Sequence, residues 1–262
     1  MNAFYFTEVG NQFGLGHLAR YQAISDLLPE LKIEILFSDS SETEYLRGGA
    51  KTWSNSDQSG YQRLFSQCDV LFIDTYIGDD DFFKATNTVP KVIYIDDYLN
   101  LDLPRGLFID WTADAESYRS ITGEKTLLGL KYLVTRPGFR NSTHRINPVK
   151  PKKILTIFGG CDPRNLTPIF FNTLRRSFDI RCAGTSKYPC FEEYKGKKNF
   201  RFDLSCEELV REILCSDLVI SAGGQTLYEV ASLGVPIVAV STVENQNPDV
   251  ELAKERKTVY CM

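Results

Sequence analysis

The feature that most constrains this chain is a set of short runs of branched and aromatic residues, apolar nearly throughout, separated by helix-length segments. The runs fall at 3–7, 33–38, 70–74, 91–95 and 106–110, and again at 153–158, 179–183, 199–202, 217–221, 236–241 and 258–261. A strand that is apolar on both sides is buried on both faces, which calls for a parallel sheet covered by helices. Segments such as 17–28, 163–177, 206–215 and 225–233 supply that cover, so the expected class is α/β. The stretch 135–152, TRPGFRNSTHRINPVKPK, is polar, holds three prolines and lacks apolar periodicity, which is linker composition. It places an expected domain boundary near residue 148, giving domains 1–148 and 149–262. Each half restarts with a strand and a glycine turn. Two such domains are expected to face one another across a cleft at the carboxyl ends of their strands, where ligands of these sheets bind.

Composition removes several classes of function. Lys+Arg 30 against Asp+Glu 34 gives a net charge of −4, no electrostatic basis for binding nucleic acid or an anionic membrane. No run of about 18 apolar residues exists, so no integral membrane segment is expected. The start, MNAFYFTEVGNQFG, lacks a basic stretch followed by an apolar one, the mark of a secretory signal. The seven cysteines are scattered without CxxC spacing and read as reduced thiols of a cytoplasmic protein. The two histidines, His17 and His144, leave few candidates for a metal site or a His-dependent triad, and neither metal nor cofactor is expected. The patterns GxxxxGK[ST] and GxSxG are absent, which disfavours a P-loop ATPase and a common hydrolase.

Three glycine turns remain as sites of chemistry. In FGLGHLAR (13–20), Gly14 and Gly16 allow close backbone approach before a helix whose first amides attract an anion, with His17 at the turn. A glycine-rich turn with an incidental polar residue is the plainer alternative. In SDLVISAGGQTLYE (216–229), Gly223, Gly224, Gln225 and Thr226 lead from a strand into a helix whose amides can cradle a diphosphate. Glu229 suits either a cap or a grip on two ribose hydroxyls. In IFGGCDPRNLT (157–167), the Gly159–Gly160 backbone is the candidate ligand contact, while Asp162 is expected as an N-cap before Pro163 at the first helical position. IDTY (73–76), IDDY (95–98) and ENQ (244–246) lie just past strand ends. The run Asp79, Asp80, Asp81 reads as a solvated helix start rather than a metal site.

In order, GLGHLAR, IDTY, IDDY, KYLVTRPGF (131–139), FGGCDPRNLT, SDLVISAGGQTLYE and ENQ resemble the UDP-2,4-diacetamido-2,4,6-trideoxy-β-L-altropyranose hydrolases of bacterial pseudaminic acid synthesis. That family is similar in fold to the two-domain GT-B N-acetylglucosaminyltransferase that makes lipid II. The resemblance covers almost the whole chain. It departs after Asp110, where the chain reads DWTADAESY, and around residues 11–13. It implies a UDP-sugar as the small-molecule partner of a monomer, with Gly159, Gly160, Gly223, Gly224, Gln225, Thr226 and Glu229 at the nucleotide. Gly14, Gly16 and Arg20 fall to the substrate. His17, Tyr76 and Asn245 match the family's catalytic positions.

The residues support a mechanism. An ordinary glycosidase needs two carboxyl groups, one to protonate a poor leaving oxygen. A nucleoside diphosphate leaves readily and needs charge stabilisation, which amides at helix N-termini provide. One base to activate water then suffices, and His17 is expected to be that base, with inversion at the anomeric carbon. Two other readings stay open: a GT-B glycosyltransferase using the same donor, and a non-catalytic nucleotide-sugar binding module.

Overall fold

A computed structural model of the chain describes residues 1–10, 13–42, 51–95, 105–112, 115, 125–140, 150–243, 246–247, 250–251 and 260–261. It forms two compact units. One comprises Met1–Phe13 with Tyr21–Val134, the other Gly14–Arg20 with Thr135–Met262.

Among the described residues the first unit holds seven strands: β1 (Ala3–Thr7), β2 (Glu34–Ser38), β3 (Lys51–Trp53), β4 (Val70–Asp74), β5 (Lys91–Ile95), β6 (Leu107–Asp110) and β7 (Lys125–Leu128). Their order is β3-β2-β1-β4-β5-β6-β7, and every pairing is parallel. Its helices are α1 (Gly16–Leu27), whose first residues group with the second unit, α2 (Gln58–Ser66) and α3 (Asp80–Ala85). Alternate strand residues enter opposite cores, as the pleat dictates. Phe4 and Phe6 of β1, with Leu71 and Ile73 of β4, join Trp53, Phe65 and Phe82 on one face. Ala3, Tyr5, Val70 and Phe72 join Ile24 of α1 and Trp111 on the other. The Asp79–Asp81 run is a helix start, as its sequence suggests, and Asp79 opens α3 by accepting from the Phe82 amide at 2.8 Å.

The second unit holds α4 (Pro137–Arg140), β8 (Lys153–Ile157), α5 (Leu166–Leu174), β9 (Asp179–Gly184), α6 (Phe191–Tyr194), β10 (Phe200–Phe202), α7 (Cys206–Leu214), β11 (Leu218–Ala222), α8 (Gln225–Ser232), β12 (Ile237–Val240) and β13 (Tyr260–Cys261). The strand order is β10-β9-β8-β11-β12-β13, again wholly parallel. Leu155, Ile157 and Val219 face one core, and Ile154, Phe158 and Ile220 the other. Each sheet reverses its direction of winding beside its first strand, at β1/β4 and at β8/β11. In doubly wound sheets that switch point is where ligands sit.

Three expectations are corrected. The short strands β3 and β7 carry too few apolar residues to register as buried runs. The helix expected over 163–177 is confined to Leu166–Leu174, because Asp162 (φ 45°) and Asn165 (φ 51°) are left-handed and no helix runs through them. The linker reading of 135–152 fails at its start. Thr135 and Phe139 are buried, Phe139 lies within α4, and it belongs to the core with Leu155 and Val230.

Candidate functional site

The turn after β8 is held from behind. The Tyr188 hydroxyl donates to the Gly159 carbonyl at 2.8 Å and accepts from the Phe158 amide at 2.9 Å, and the Thr185 hydroxyl donates to the Gly160 carbonyl at 2.6 Å. In a planar trans peptide the N–H points opposite the C=O, so the Gly160 and Cys161 amides face the other way. Gly159 is left-handed at φ +69°, and a Cβ there meets nothing within 4 Å. At Gly160 a Cβ would fall 2.4 Å from Cδ1 of Leu15, so the Gly14–Arg20 segment packs directly on this turn. Asp162 is a cap, but not through the expected geometry. Its two oxygens accept from the Leu166 and Thr167 amides at 2.8 and 2.9 Å, leaving Pro163 outside the helix. Burial pushes the Asp162 carboxyl above the usual carboxylate range, while its hydrogen bonds from Thr167 and Leu166 pull it back. The first two amides of α5 are thereby occupied, so the anion-attracting capacity of this turn rests with its glycines.

The neighbouring turn, between β11 and α8, differs in how it is fixed. The Gly223 amide and the Thr242 amide and hydroxyl all donate to Oε1 of Gln246, at 3.3, 2.9 and 3.0 Å. A Cβ on Gly223 would lie 2.4 Å from Cγ2 of Val250. Gly223 is therefore a packing glycine, and Gln246 of the ENQ motif ties two strand ends together. Gly224 is the N-cap of α8 and makes no side-chain cap, so backbone amides at Gln225 and Thr226 open the helix.

Glu229, one turn into α8, is 1% exposed and does not cap. Arg136 grips it with two parallel bonds, Nε to Oε1 at 2.8 Å and the terminal nitrogen to Oε2 at 2.7 Å. Burial draws the Arg136 guanidinium down, but the Glu229 hydrogen bond and charge more than restore it above its ordinary value. The guanidinium also lies 5.3 Å from the centroid of the Phe139 ring. Sequence reasoning assigned Arg136 no role because it sits in the polar 135–152 stretch. The signal that reveals it is the apolar setting of Glu229, since a carboxylate that deep needs a cation.

In the Gly14–Arg20 segment a Cβ on Gly14 (φ +76°) or Gly16 meets nothing within 4 Å, so backbone stands open at both positions. His17 and Arg20 are 1% and 4% exposed, and a terminal nitrogen of Arg20 lies 3.0 Å from Nδ1 of His17. One turn of α1 separates the two, which places them on one helix face.

In the first unit, buried carboxylates occupy the strand ends. Glu8 follows β1 and accepts from the Tyr76 amide at 2.7 Å, and Asp74 ends β4 and accepts from the Tyr5 hydroxyl at 2.6 Å. Tyr76 itself is partly buried. Of the expected site residues, Gly14, Gly16, His17, Arg20, Gly159, Gly160 and Gly223 through Glu229 fall in the second unit, and Tyr76 in the first. Asn245, His144 and Asp96 through Tyr98 lie outside the described residues. Among the described residues no three His, Cys, Asp or Glu side chains converge as metal ligands, and no helix is long and apolar enough to cross a membrane.

No family model matches the chain. An uncharacterized protein of Methanocaldococcus jannaschii, MJ1062, is 25% identical over 92% of this chain, and the chain spans about half, 55%, of that relative's length. Among solved structures, MurG of Acinetobacter baumannii superposes with a TM-score of 0.66 at 13% identity, covering 100% of this chain and 86% of that one. UGT2 of Phytolacca americana, complexed with UDP-2fluoro-glucose and pterostilbene, gives 0.56 at 11% identity, covering 100% and 86%. The glycosyltransferase SnogD of Streptomyces nogalater gives 0.53 at 12%, with the same coverage. At these identities the likeness establishes the fold, which is GT-B-like: α/β, with two Rossmann-like units each built on a parallel sheet.

Proposed function

We propose that this chain is a nucleotide-sugar hydrolase that cleaves the anomeric C–O bond of a UDP-linked sugar and releases UDP. The observation that carries the reading is the pair of glycine turns, Gly159–Gly160 and Gly223–Gln225, at the carboxyl ends of adjacent strands β8 and β11. Both stand at a switch point, and one opens a helix whose N-terminus has no side-chain cap. Such an arrangement suits a diphosphate, and a diphosphate leaves without being protonated. Glu229, pre-set by Arg136, suits recognition of the ribose. His17 is the water-activating group, and Arg20, Gly14 and Gly16 serve the sugar and phosphates. The sugar class, a 2,4-diacetamido-trideoxy hexose for nonulosonic acid or surface glycan synthesis, and the orienting roles of Tyr76 and Asn245, rest on the family resemblance.

The test is a panel of UDP-sugars followed by NMR for free sugar, UDP and anomeric configuration. Free sugar of inverted configuration without any acceptor supports hydrolysis. His17→Asn is expected to fold, bind UDP and lose turnover by about 10²–10⁴-fold, the usual worth of a general base. An unchanged kcat refutes the assignment. The GT-B-like fold shared with MurG and SnogD favours a second reading, transfer to an acceptor hydroxyl, which predicts UDP release only when an acceptor is added.

A further inference from the structure

The contact between Arg20 and His17 fixes more than the position of the ring. A guanidinium carries five donors and no acceptor, and it stays protonated throughout the accessible pH range. At 3.0 Å from Nδ1, Arg20 is therefore the donor, and Nδ1 accepts with its lone pair. A neutral imidazole has one N–H and one lone pair. With the lone pair engaged at Nδ1, the proton resides on Nε2. This is the reverse of the usual orientation of a basic histidine, in which a carboxylate or carbonyl accepts from one nitrogen and leaves the other basic. Both partners are almost fully buried, so water does not compete for the contact as it does on a surface.

We infer that Arg20 is a positioning residue that holds His17 as the Nε2–H tautomer, so that the ring presents a hydrogen-bond donor and acquires a basic nitrogen only when the guanidinium leaves Nδ1. The consequence for catalysis rests on the reading of His17 as the water-activating group. In that reaction the water oxygen bonds to the anomeric carbon, and one water proton passes to Nδ1. The C–O bond breaks with its electron pair on the departing diphosphate, and Nε2 keeps its proton throughout. The imidazolium then returns its extra proton to solvent. A diphosphate is the kind of group that draws a guanidinium from a neutral acceptor, because charge-assisted hydrogen bonds are the stronger ones. The Gly14–Arg20 segment packs on the Gly159–Gly160 turn, the proposed diphosphate turn, through Leu15.

The chain contains only two histidines, so the ring states can be read directly in the intact protein. Histidine-selective ¹⁵N labelling, with two-bond ¹⁵N–¹H correlation above the ordinary imidazole range, reports tautomer and hydrogen bonding, and His144→Gln assigns the signals. The expected wild-type His17 spectrum has a protonated Nε2 and an unprotonated Nδ1 shifted from the unbonded position toward the protonated one. In Arg20→Met, and in wild type saturated with UDP, Nδ1 moves back to the unbonded position. A protonated Nδ1, or an Nδ1 signal in wild type already at the unbonded position, overturns the inference even if the variant does not fold. An Nδ1 signal unmoved by UDP overturns the release step. Turnover of the UDP-sugar panel by the same sample tests the hydrolase reading separately. A displaced Nδ1 without turnover refutes only that reading, and turnover with an undisplaced Nδ1 refutes only this inference.

Discussion

The two sheets share a winding and differ in chemistry. Six strands of the first, β3-β2-β1-β4-β5-β6, and all six of the second, β10-β9-β8-β11-β12-β13, follow one order about their first strand. In the first unit the carboxyl ends carry Glu8, Asp74 and Asp110, each at most 1% exposed. In the second the corresponding ends carry Gly159 and Gly160 after β8, and Gly223 and Gly224 after β11. The second unit also buries acids near its turns, but Asp162 is taken up by two helix amides and Glu229 by Arg136. One topology thus ends in buried carboxylates in one copy and in glycine turns in the other. Strand order alone therefore does not say where a nucleotide binds.

The contrast can be broken most severely by giving the second unit a carboxylate where it has a glycine. Gly159 is left-handed with open space where a Cβ would stand, and Asp and Asn both tolerate that conformation. Gly159→Asp is expected to weaken UDP binding by about 100-fold, from roughly 3 kcal/mol of like-charge repulsion, while Gly159→Asn largely retains it. Isothermal titration of both variants checks this, and equal losses would put the effect down to bulk. Next in size, Arg136→Ala leaves Glu229 buried without its cation and is expected to cost about 3 kcal/mol of unfolding free energy. Denaturant titration measures it, and Arg136→Ala with Glu229→Gln together should recover part of the loss.

Asp162 gives a smaller, pH-resolved effect. Its folded pKa is raised above the unfolded value, so the folded state binds the proton more tightly. Its contribution is fully present below the ordinary carboxylate pKa of about 4 and is lost as pH rises through the raised value. The stability difference between wild type and Asp162→Asn should therefore shift against wild type as pH rises from about 4 through the raised value. A flat difference curve would contradict the burial that raises the group. The smallest expectation sharpens the comparison from the other side. Glu8→Gln keeps an acceptor for the Tyr76 amide and should leave UDP affinity unchanged, since the proposed nucleotide turns belong to the second unit.

The class of the fold and the positions of most strands were legible because doubly buried strands show as short runs of branched and aromatic residues that alternate with helix-length segments. β3 and β7 were not, being short and bearing exposed or half-buried residues such as Lys51 and Lys125. The glycine turns were legible as turns, but their division of labour was not. Gly223 is required by Val250 and Gln246, which arrive from later in the chain, whereas Gly159 leaves open space. Arg136 escaped notice because local composition suggested a linker, and its partner is 93 residues away.

The sequence by itself determined two parallel α/β sheets and the presence of glycine turns at their strand ends, because apolar period and glycine placement are local properties of the chain. Only the tertiary structure decided which groups near those turns are already engaged. Arg136 holds Glu229, Asp162 closes the start of α5, and Arg20 donates to His17. The physical reason is that a side chain's charge, donor and acceptor are written in the sequence, whereas the protonation state and availability of each depend on the partner that folding brings within 3 Å, roughly hydrogen-bond length.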